Sequence, residues 1–144
     1  MMQIEFQDLE EFDKIKVGTM VSAEVKRVRN YQFLRKYFAL LHLAYDYWEP
    51  EGSADNFKGE PIQKNFDRFR NDVQIVAGFG EPVWNLRGEL RMQSKSISFG
   101  KMDEEEFEKV YTTVLNVLID RVLRAKGFTA ESANTLVDQL INFN

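Results

Sequence analysis

The chain has no cysteine. Disulfides, thiolate metal sites and cysteine nucleophiles are thereby excluded, and a reducing compartment suits it. Histidine occurs once, at His42, so no histidine cluster is available to hold a metal. No apolar run approaches the ~18 residues that a membrane span needs. The opening "MMQIEFQDLEEFDK" has neither a basic start nor an apolar stretch, so no secretory signal is expected. The phosphate-cradling patterns GxxxxGK[ST] and GxGxxG are both missing, and the "GFG" at 78–80 does not replace them. These absences predict a cytoplasmic protein with no cofactor, no metal and no catalytic set.

What is present is a globular composition with a strong segregation of charge. The 144 residues are 44% hydrophobic and 13% aromatic, too rich in rings for a disordered chain and about right for one domain. The net charge is −4, yet residues 26–36 carry five cations and no acid: Lys26, Arg27, Arg29, Arg35 and Lys36. A second basic stretch, residues 64–101, carries seven cations against four acids. Acidic segments surround both. A basic face on an acidic protein holds a polyanion locally; the competing reading is two solvated flanks.

Periodicity predicts α+β, a single domain with a small antiparallel sheet packed with three or four helices. "QIEF" reads as a first strand, and Val21, Ala23 and Val25, alternating with Ser22, Glu24 and Lys26, as a second. Asn30 then reads as the N-cap of a helix running to Trp48. Two apolar stripes leave this helix only a narrow polar strip, which includes His42, so it is expected at the domain centre or in a subunit interface. A flexible loop is expected at 49–61. A second helix follows, with Pro61 in its first turn and apolar positions from Ile62 to Val76. "EPVWNLRGELRMQSKSIS" reads as strands turning at "NLRG". Asp103 and Glu106 form a capping box, Gly127 a helix terminus and Thr129 the cap of a last helix.

Three chemistries are open. Glu24-Val25-Lys26 on a strand, with Asp13 upstream, matches weakly the carboxylate-lysine pattern of Mg²⁺-dependent nucleases. The run "DEEEFE" could imitate phosphates toward a protein partner, but it also suits a helix cap. The third is a nucleic-acid surface of Lys26, Arg27, Arg29, Tyr31, Arg35 and Lys36, extended by Trp84, Arg87, Arg91 and Lys95. Cations would meet phosphates and rings would stack on unpaired bases; against this, Tyr31 and Trp84 are each more ordinarily core residues.

"VGTMVSAEVKRVRNYQFLRKYFALLHLAYDYWEP", "FDRFRNDVQIVAGF" and "KSISFGKMDEEEFEKVYTTVLNVLI" resemble a family of uncharacterised proteins of tailed bacteriophages and prophages, over about Ile15 to Ile119. Members of that family often have histidine where this chain has Leu34, which argues against a shared histidine chemistry. "RNYQFLRKYFALL" more remotely resembles phage recombination proteins of the NinB (Orf) type, through Arg29, Arg35, Lys36, Phe38, Ala39 and Leu41. The polar pair of that pattern is absent at Phe33 and Leu34. This resemblance implies a homodimeric accessory factor that binds single-stranded or branched DNA and assists recombination. The rival expectation is a phage protein that binds and inhibits a host or defence protein through its acidic faces.

Overall fold

The computed structural model describes residues 20–52 and 56–142. The "QIEF" strand and Asp13 lie outside the described residues. Among those described, four helices and two antiparallel two-stranded ribbons make a small α+β fold. In chain order these are α1 (Met20–Tyr47), β1 (Asn56–Phe57), β2 (Glu60–Pro61), α2 (Phe66–Val76), β3 (Gly80–Trp84), β4 (Leu90–Ser94), α3 (Glu104–Leu118) and α4 (Ala130–Asn142).

Helix α1 holds 28 residues, about 42 Å at the α-helical rise, and it absorbs the segment expected as a strand. The alternation at 21–26 spans only three apolar positions. Ala23, Glu24, Lys26, Arg27 and Arg29 are all sound helix formers, and Val25 and Val28 stay exposed, so no sheet face exists to reward alternation. Asn30 is consequently not a cap. It sits inside the helix at 3% exposure, and its Nδ2 donates to the Gly100 carbonyl at 2.7 Å. That bond ties α1 to the short 3₁₀ turn at Phe99–Lys101.

Beyond Asn30 the helix enters the core. Leu34, Tyr37, Leu40, Leu41 and Ala44 form its most buried face, together with Phe107, Tyr111, Val114 and Leu118 of α3 and Ala133 and Val137 of α4. The expectation of a central helix holds: α1 packs against α2, α3 and α4. His42 remains exposed and stacks on Phe66 with ring centroids 3.9 Å apart.

Helix α2 begins later than its apolar spacing suggested. Pro61 belongs to β2, Ile62 is exposed, and Asn65 is the cap, its side chain accepting from the Arg68 N–H at 2.9 Å. Asparagine satisfies a first-turn donor, which proline at 61 cannot do. The β1–β2 hairpin lies within the expected loop at 49–61.

The "NLRG" turn is as expected. Asn85 Oδ1 accepts from the N–H groups of Arg87 and Glu89, and Gly88 takes φ 77°, a region open to glycine at little cost. The capping box of α3 is present in both directions, Asp103 to the Glu106 N–H and Glu106 back to the Asp103 N–H. Gly127 ends the preceding turn at φ 88°, and Thr129 Oγ1 accepts from the Ser132 N–H ahead of α4.

Two tyrosines anchor the core by their hydroxyls. Tyr37 donates to Gln74 Oε1 at 2.9 Å and Tyr111 to Asn134 Oδ1 at 2.6 Å. Burial pushes the Tyr37 hydroxyl well above the ordinary tyrosine range of about 10; burial, then the nearby Asp138 and Glu108 carboxylates, do the same for Tyr111. A raised folded-state pKa means that the unfolded chain loses these protons first. Stability is thus full below about pH 10 and falls as pH rises beyond it. Absorbance at alkaline pH should show two tyrosines ionising only together with unfolding; ionisation of every tyrosine in the native state would contradict the burial.

Candidate nucleic-acid interface

The residues singled out from the sequence fall in three places. Lys26, Arg27 and Tyr31 lie on the first turns of α1, which extend beyond the core. Lys26 and Arg27 are exposed and make no ion pair or side-chain hydrogen bond with the described residues. Tyr31 is 50% exposed, contrary to the expectation that it is core.

Arg29, Arg35 and Lys36 lie further along, at a cleft of about 450 Å³ between α1, the start of α3 and the end of α4. Each already holds a structural contact. Arg29 donates from Nη2 to the Met102 carbonyl and from Nε to Asn30 Oδ1, both at 3.1 Å, and its guanidinium lies 5.5 Å from the Phe33 ring centre. Arg35 donates from Nη2 to the Ile141 carbonyl at 2.9 Å, satisfying one of the open carbonyls at the end of α4. Lys36 lies 3.9 Å from Asp138 and over the Tyr111 ring at 4.7 Å. Phe33 and Phe107, stacked at 4.3 Å, form part of the cleft wall, and Glu104 and Glu108 line it as well. Those two acids lie about seventy residues from the basic run, so no local pattern placed them beside it.

Arg87, Arg91 and Lys95 belong to the β3–β4 hairpin and its exit. Arg91 pairs with Glu89 at 3.2 Å. Trp84 is 75% exposed and Leu86 fully so, again against the core expectation. The hairpin packs on α2, and no hydrogen bond, ion pair or ring contact among the described residues joins it to the α1 cations. No direct contact among the described residues thus links the ten candidate residues into a single group.

The spacing along α1 still aligns part of the set. Lys26, Arg29, Phe33 and Lys36 recur at intervals of three, four and three, the rhythm of one helix face. This face runs from Lys26, which has no ion-pair partner among the described residues, into the cleft. On the adjoining side Arg27 and Tyr31 are i, i+4 neighbours.

The strand on which the nuclease pattern relies is not formed at Glu24–Lys26, and Asp13 lies outside the described residues. Glu24 and Lys26 stand on a helix, where residues two apart point about 200° away from each other, so they do not converge on one phosphate. Among the described residues no group of three or more metal-ligating side chains could hold a metal ion. The acidic run at 103–108 is accounted for by the cap of α3 and its favourable place at the helix's positive end. Among the described residues no helix is long and apolar enough to cross a membrane.

Residues 3–62 and 54–143 match the family model described as Protein of unknown function (DUF1367). The chain belongs to the DUF1367 family. No curated protein and no solved structure matches it. The match to the DUF1367 model includes α1 with its basic face, the cleft and the hairpin.

Proposed function

We propose that the protein is a non-enzymatic accessory factor of phage DNA metabolism that binds single-stranded or branched DNA along the first half of α1. The observation that carries this reading is the face of Lys26, Arg29, Phe33 and Lys36, with Lys26 and Arg27, which have no ion-pair partner among the described residues, at its outer end. Free cations attract phosphates without first breaking an internal bond. The half-exposed Tyr31 ring beside Arg27 offers a surface on which an unpaired base stacks. Arg29, Arg35 and Lys36 act differently from free cations: their structural bonds hold the face rigid, so fewer of them are available to exchange for phosphate. The resemblance to NinB-type recombination proteins points in the same direction.

The test is fluorescence anisotropy of labelled single-stranded DNA across salt concentrations. At ~0.7 per phosphate contact, Lys26 and Arg27 alone give log K a slope against log salt of roughly −1.4, and engagement of all five α1 cations one of roughly −3 to −4. Replacing Lys26 and Arg27 with alanine should reduce that slope by about 1.4, at ~0.7 per phosphate contact, and leave the melting temperature unchanged. Absence of binding even at low salt would sink the reading. An unchanged slope in the double variant would move the site elsewhere.

A second reading, a phage protein that binds and inhibits a host or defence protein, draws on the exposed Glu104, Glu105 and Glu106 at the start of α3. Stoichiometric recovery of one host protein from lysate, insensitive to nuclease, would favour it over DNA binding.

A further inference from the structure

The β3–β4 hairpin carries an apolar face that none of the described residues covers at its outer end. The register pairs Trp84 with Leu90 and Pro82 with Met92, and side chains two apart on a strand share a face. Near the base of the ribbon this face meets α2: a Cβ at Gly80 would lie 3.1 Å from Met92 and 3.5 Å from Ile75. Toward the tip, Trp84 and Leu90 extend beyond α2 and are exposed, with Leu86 at the turn. On the order of 500 Å² of apolar surface is gathered here, within the range at which a patch on a monomer is commonly functional.

The backbone beside this face is also open. Asn85 donates its N–H across the ribbon to Glu89, so the alternation of an antiparallel ladder turns the N–H groups of Leu90 and Met92 outward. Ser94, next in that series, has its N–H capped by Asn71 Oδ1 at 2.9 Å. On the β3 edge Pro82 removes the corresponding donor, a device that blunts strand addition. One edge is thus blocked; on the other the N–H groups of Leu90 and Met92 face outward, and the Leu90 carbonyl accepts from Arg91 Nη1 at 2.9 Å, a side-chain bond that pairing would exchange for a backbone one.

The charges flanking Leu90 decide what it pairs with. Glu89 and Arg91 bracket it symmetrically and contact each other at 3.2 Å. A two-fold axis at Leu90 would set each Glu89 opposite the second copy's Arg91. Each Leu90 would then exchange both backbone bonds with its counterpart, and the two Trp84–Leu90 faces would become continuous. We infer that the β4 edge is a self-association surface, occupied by a second copy of this chain in an antiparallel, two-fold pairing centred on Leu90. Such an isologous contact closes on itself and does not propagate. Its area is below the ~800 Å² per partner of a standard interface, so the dimer is a weak one that forms in the micromolar range. The inference is independent of the nucleic-acid reading and is tested with no nucleic acid present.

Sedimentation equilibrium across the micromolar range should show a monomer–dimer equilibrium, with tryptophan emission moving to the blue as concentration rises and Trp84 is covered. Arg91→Glu or Glu89→Arg alone sets like charges across the axis and should weaken association at least about tenfold, the effect of 1.4 kcal/mol. The exchanged double variant, E89R with R91E, restores opposite charges and should recover it. Both positions are exposed, and circular dichroism verifies that each variant is folded. A wild-type chain that stays monomeric throughout would overturn the inference, and so would a double variant no better than the singles.

Discussion

Replacing Phe107 with alanine is expected to cost about 3–5 kcal/mol, the usual range for removing a buried ring. Phe107 is 2% exposed and lies at the crossing of three elements. It stacks on Phe33 of α1 at 4.3 Å, lies 6.3 Å from Phe99 of the 3₁₀ turn, and is 5.6 Å from Tyr111 one turn along α3. No neighbouring side chain can collapse into the space, because the rings on both sides are themselves fixed by backbone elements. A loss of this size is a large fraction of the ~5–15 kcal/mol that holds a domain together. Urea denaturation measures it through the midpoint. A loss under about 1 kcal/mol would mean that α1 and α3 do not meet through this ring. The cleft wall would open as well, so under the proposed nucleic-acid reading the variant binds DNA less well than its Phe107→Leu counterpart.

The second large effect concerns the Tyr37–Gln74 bond. Both residues are buried, at 0% and 2% exposure, and the bond joins α1 to α2 across 2.9 Å. Gln74→Leu leaves the Tyr37 hydroxyl buried without an acceptor, which costs about 1–3 kcal/mol. It also removes the longer contact of Gln74 Nε2 with the Lys95 carbonyl at 3.5 Å. Tyr37→Phe in the same background removes the stranded hydroxyl. The double variant is therefore expected to be more stable than Gln74→Leu alone, a reversal that only a shared buried bond produces. If the two losses simply add, the bond contributes nothing. Its burial also explains why Tyr37 resists ionisation, so the alkaline limb of stability should soften in the Tyr37→Phe variant.

Local chemistry was legible wherever one or two neighbouring residues satisfy the backbone. The Asp103–Glu106 capping box, the Asn85–Gly88 turn, Gly127 and Thr129 all stand as their residue types suggested, because each works through contacts a few residues away. The strand expected at 21–26 is helix for a related reason: short alternation is a weak signal, and helix propensity prevails where no sheet face is present. Asn30 is the clearest case. Its type suits a cap, but its role comes from the Gly100 carbonyl, seventy residues distant.

The candidate site divides along the same line. That residues 26–36 gather cations was visible at once, and the helical spacing that aligns Lys26, Arg29, Phe33 and Lys36 follows from their numbers once the helix is given. Which cations are held by structural bonds was not. Arg35 is held by Ile141 and Arg29 by Met102, partners brought in by the packing of α4 and the 3₁₀ turn. Trp84 shows the converse. Ring type favours burial, but the hairpin is only two strands wide and extends beyond the helix that supports it.

By itself the sequence determined composition, charge segregation, the central apolar helix, the caps and the turns, since these depend on intrinsic preference and near neighbours. Only the tertiary structure decided that residues 21–29 are helical, which cations are occupied, and that Trp84 and Leu90 are exposed. Those outcomes depend on which distant surfaces meet, and burial and pairing across seventy or a hundred residues leave no local periodicity to read.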